Sequence, residues 1–130
     1  MNAILKISPA IKVQSLARKS RLVTDILTMP NPESRADTIL ATTAFFEDLD
    51  QSDRSRLIDE AIDLFGEDGP HDTFRRLCAA DSIVQSLRYL EPKQVSKINE
   101  ITDCRLDLCQ LLSECLAVSW LNPSSVVGNC

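Results

Sequence analysis

Histidine is almost missing from this chain of 130 residues: His71 is the only one. A Ser–His or Cys–His catalytic pair would have to use it. It stands between Pro70 and Asp72 where a helix is predicted to start, which reads as a loop residue beside an N-cap. Glycine is nearly as scarce, with Gly66, Gly69 and Gly128. Three such residues cannot build a phosphate-cradling loop or a dinucleotide fingerprint. No apolar run approaches the ~18 residues of a membrane span. The opening stretch, Met1 to Ser8, lacks the apolar core of a signal peptide. These absences lead to the expectation of a cytoplasmic protein with no membrane contact.

Cysteine is present five times, at 78, 104, 109, 115 and 130. The odd count fits no disulfide framework, and no pair has the two-to-four spacing of zinc ligands. Reduced thiols packed as small hydrophobes agree with a reducing compartment. Cys130, close to the chain end, is the expected exposed exception.

Charge is unevenly placed. The net charge is −5, yet residues 1–24 carry Lys6, Lys12, Arg18, Lys19 and Arg21 without an acid. Residues 47–72 hold ten acids against Arg54 and Arg56, and no charged side chain follows Glu114. An acidic majority repels nucleic acid at long range. Hydrophobic residues make up 44%, a globular composition that excludes global disorder.

Helix punctuation is legible throughout. Ser8–Pro9 is a cap followed by proline at the first helical position. It opens a helix to Thr28, sandwiched or broken near Lys19–Ser20, and Met29–Pro30 stops it. Asn31–Pro32–Glu33 repeats the signal for a second helix to about Asp48, with Ala36, Ile39, Leu40, Thr43 and Phe46 in one stripe. Asp50 or Ser52 caps a third, ending at Phe65. Its apolar face is Leu57, Ile58, Ala61, Ile62 and Phe65, and Asp59, Glu60 and Asp63 form the solvated one. Gly66 fits a left-handed terminating position.

Asp72 caps a fourth helix to about Leu90, with a seam of Phe74, Leu77, Ala80, Val84 and Leu87 that Asp81 interrupts. Glu91–Pro92 opens the fifth, reaching Leu121. Ile101, Cys104, Leu108, Leu111, Cys115 and Val118 alternate at three and four. Val95 and Ile98 fall out of that phase, which places a break near Thr102–Asp103. No stretch alternates with period two for long. The fold class is therefore all-α: a compact bundle or array of about five antiparallel amphipathic helices, the last one longest. Residues 1–121 form the expected single helical domain and 122–130 a short uncharged tail.

Sites follow from the same residues. Asp48, Asp50 and Asp59 have the spacing of a calcium loop, but Asp53 stands where its glycine is required and Asp59 replaces the bidentate glutamate. Metal and cofactor are not expected. Ten clustered acids guarantee chance carboxylate pairs, so no acid–base couple stands out and no enzyme is expected. The chain is read as a non-enzymatic acidic helical protein that binds another protein, as inhibitor, adaptor or dedicated chaperone. The expected surface is Glu47, Asp48, Asp50, Asp59, Glu60 and Asp63, facing a basic partner. The alternative is a nucleic-acid-associated regulator with phosphate contacts from Lys12, Arg18, Lys19 and Arg21. The stripe with Leu108, Leu111, Leu112 and Cys115 is wider than one neighbour requires, which leaves two readings: homodimerisation through those residues, or the last helix as the central helix of a single bundle.

Overall fold

Prolines and their preceding caps set several helix starts. Asn31 is extended, and its side-chain oxygen accepts from the backbone N–H groups of Glu33 (2.8 Å) and Ser34 (3.3 Å). Pro32 then occupies a position whose N–H would have no partner anyway. Pro92 repeats the device: Gln94 Oε1 accepts from the Glu91 N–H at 2.9 Å.

The computed structural model describes residues 16–67 and 73–121. The Ser8–Pro9 cap, Lys12, the turn at 68–70, His71, the Asp72 cap and the tail 122–130 with Cys130 lie outside them. Among the described residues there are six α-helices and no strand. They are α1 (Leu16–Leu27), α2 (Pro32–Thr42), α3 (Gln51–Gly66), α4 (Thr73–Gln85), α5 (Pro92–Cys104) and α6 (Leu106–Leu121). Short 3₁₀ turns follow α2 (Thr43–Asp48) and α4 (Leu87–Tyr89). The all-α architecture expected from the helix signals is the observed one.

Two predicted helices tighten before they end, and hydroxyl groups accompany the change. Thr42 and Thr43 donate to the carbonyls of Thr38 (2.8 Å) and Leu40 (2.6 Å) where α2 gives way to a 3₁₀ turn. Ser82 and Ser86 donate to Cys78 and Ser82 in the same way at the end of α4. Such back-bonding draws on the carbonyls that the helix ladder uses and bends it. The fifth predicted helix divides into α5 and α6 at Arg105, which is extended (φ −133°, ψ 99°). The break falls two residues beyond the expected place.

The core is centred on α4, which packs on α2, α3 and α6. Its buried residues are Arg75, Cys78, Ala79, Ala80, Ser82, Ile83 and Val84. Small side chains let three helices approach one axis. This corrects the seam read from the sequence: Phe74, Leu77 and Leu87 are exposed. Large apolar residues outvoted small ones in that reading, although Cys78, Ala79 and Ser82 carry the inward face. It also moves the centre of the bundle away from the C-terminal helix. Val23, Ile39, Leu57, Ile62 and Phe65 from α1, α2 and α3, with Phe46 from the 3₁₀ turn after α2, close the remaining core.

Gly66 needs a second correction. It is the last residue of α3, and Glu67 after it is extended, so no left-handed cap forms there. A Cβ at Gly66 would lie 2.9 Å from Ile101 Cδ1 and 3.2 Å from Cγ1. The glycine allows α5 to approach α3.

Candidate functional site

The acidic surface is largely used to join helices. Asp59 Oδ1 accepts from Gln94 Nε2 at 2.9 Å, linking α3 to α5. Glu60 pairs with Arg35 of α2 at 3.0 Å, and Asp63 pairs with Lys97 of α5. Burial raises the Glu60 pKa, and Arg35 opposes that only in part. Asp59 and Glu60 are half-buried rather than solvated, and only Asp63 of the three is exposed. Asp48 is half-buried, and its backbone carbonyl accepts from Lys19 Nζ at 2.9 Å. Of the six residues assigned to a basic partner, Glu47, Asp50 and Asp63 are exposed.

Asp53, which carried no assigned role, is buried beside this surface. Its carboxylate accepts from Ser20 Oγ (2.6 Å) and Arg56 (3.2 Å), and Arg56 donates onward to Thr24 Oγ1 (3.0 Å). The network ties α1 to α3. Lys19 is likewise buried against Asp48, so its ammonium is engaged by the fold. Arg18 and Arg21 are exposed. Among the described residues no three His, Cys, Asp or Glu side chains converge as metal ligands do. No described helix is long and apolar enough to cross a membrane.

Gln94 is the most informative polar residue that the sequence did not single out. It is 2% exposed. Its amide oxygen holds the first turn of α5, while Nε2 donates to Asp59, the Ser55 hydroxyl (3.2 Å) and the Ser55 carbonyl (3.3 Å). A buried amide with both ends engaged fixes how α5 sits on α3. Arg54 plays a related part, donating to the carbonyls of Phe46 and Leu49 and stacking 4.5 Å from the Tyr89 ring centroid.

The buried thiols behave as hydrophobes. Burial pushes the Cys78 thiol up to about 11 and Cys115 to about 12, with Asp37 and Asp81 adding to the first and Asp81 to the second. Cys104 and Cys109 are exposed on either side of the Arg105 break. An acid beside a buried thiol keeps it protonated, the reverse of what a nucleophile requires.

A shallow concave surface is lined by Pro30, Asn31, Pro32, Glu33 and Arg75; a second one is apolar. Between α4, α5 and α6 lies a groove of about 300 Å³. Ile83, Val84 and Ile98 form its floor; Leu87, Leu90, Val95, Leu112 and Leu116 form its walls. Leu87 is 47% exposed and Val95 42%. No lining residue is charged. No protein-family model matches the chain, and no curated protein or solved structure matches it.

The wheel of α6 explains why the groove exists. At about 100° per residue, Leu108, Cys115 and Ser119 share the inward line, and all three are buried. Leu112 and Leu116 occupy one flank and open into the groove. Val118 lies on the other flank, 64% exposed, and Leu106 points away, 82% exposed. Leu108, Leu111, Leu112 and Cys115 thus divide: two are buried and two half-buried. The alternation that joined Ile101 and Cys104 to them crosses the helix break. Val95 and Ile98, out of phase in the sequence, are the residues that meet Leu112 and Leu116 across the groove. That phase mismatch was the available signal.

Proposed function

We propose that this protein works by binding another protein, and that the groove between α4, α5 and α6 receives the apolar face of an amphipathic helix. The single observation that carries the reading is a concave, uncharged surface with Leu87 and Val95 about half exposed on its walls. Leu112 and Leu116 are four residues apart on one wall, and Val95 on the opposite wall is three residues from Ile98 on the floor. Those are the spacings into which a helix places knobs at i, i+3 and i+4. A docking protein of this kind acts as an adaptor, inhibitor or dedicated chaperone.

The acidic residues support this placement indirectly. Asp59 and Asp63 bond to α5, one of the three helices that form the groove, while Glu60 bonds to α2. A basic partner would rely on Glu47 and Asp50. The nucleic-acid alternative keeps Arg18 and Arg21 as phosphate contacts, with Lys19 engaged inside.

The test is differential capture. Immobilised wild-type protein, a Leu87→Glu/Val95→Glu variant and a Glu47→Lys/Asp50→Lys variant are compared for the proteins each retains. Partners kept by the wild type and the acidic-surface variant but lost by the groove variant support the reading. Loss only from the acidic-surface variant refutes it in favour of a basic partner. Salt-sensitive retention on duplex DNA would replace both with the nucleic-acid reading.

A further inference from the structure

We draw no further inference here: the strongest candidate, the uncharged groove between α4, α5 and α6 walled by Leu87, Val95, Leu112 and Leu116, belongs to the site already described, and nothing in the structure shows what covers it.

Discussion

At the scale of single residues, the buried polar groups have unequal worth. Gln94→Ala removes the oxygen that holds the Glu91 N–H and leaves Asp59 and Ser55 without their donor. A cost of about 2 kcal/mol is expected, read from the urea midpoint. Glu60→Gln should change stability by less than about 1 kcal/mol. Burial raises the Glu60 pKa despite Arg35, so the ionised pair recovers little of what desolvation costs. Folded-state Cys78 and Cys115 ionise later than the ordinary value of 9.0. The folded protein thus holds protons that the unfolded chain releases. Their stabilising contribution is complete below pH 9 and is lost as pH rises from 9 through about 11 to 12. Urea midpoints across that range should fall more steeply for wild type than for Cys78→Ala/Cys115→Ala. Under native conditions at pH 8, a thiol reagent should modify Cys104 and Cys109 and spare Cys78 and Cys115.

At the scale of elements, what could be read in advance depended on whether a signal was local. Asn31–Pro32 and Glu91–Pro92 mark real helix starts because caps and prolines act within one turn. The face of α3 was also legible, since Leu57, Ile58, Ala61, Ile62 and Phe65 are all buried. The orientation of α4 was not: which of its faces turns inward is decided by three neighbours that favour small residues. Nor could spacing reveal that Asp59 meets Gln94, 35 positions away. Gly66 was recognised as special for the wrong reason, and substitution separates the two. Gly66→Ala should alter stability by less than about 1 kcal/mol, because the gain in helix propensity offsets a small shift of the Ile101 terminal methyl. Gly66→Leu must displace the whole Ile101 side chain and should cost about 2 kcal/mol or more. A left-handed glycine would instead make the alanine variant already severe. Ala79→Leu on α4, fully buried, should cost about 1–3 kcal/mol through overpacking, measured by the same denaturation.

At the scale of the whole molecule, polar links and apolar packing are distributed differently. The α1–α3 side is joined by Lys19, Ser20, Asp53 and Arg56, and α5 is tied to α3 by Gln94 and Lys97. The helix α6 is tied to α4 by the Cys115 thiol, which donates to Asp81, and otherwise rests on α4 and α5 through Leu108, Leu112 and Leu116. The candidate groove lies where these two kinds of attachment meet. It was only half legible: Leu112 stood out as widening the C-terminal stripe, whereas Leu87 was assigned to the core and Val95 to a phase error.

The extended residue at Arg105 has a consequence for the order in which the protein comes apart. A continuous helix from Pro92 to Leu121 could not release its second half without breaking its own ladder. With the ladder already interrupted there, α6 can detach as a unit while α1 to α5 keep their polar ties. Amide exchange measured at rising, sub-denaturing urea should therefore merge the α6 amides into one low-energy opening, well below that of α3 and α4. Replacing Leu108 by alanine should lower that opening further and leave the slowest amides of α3 less affected.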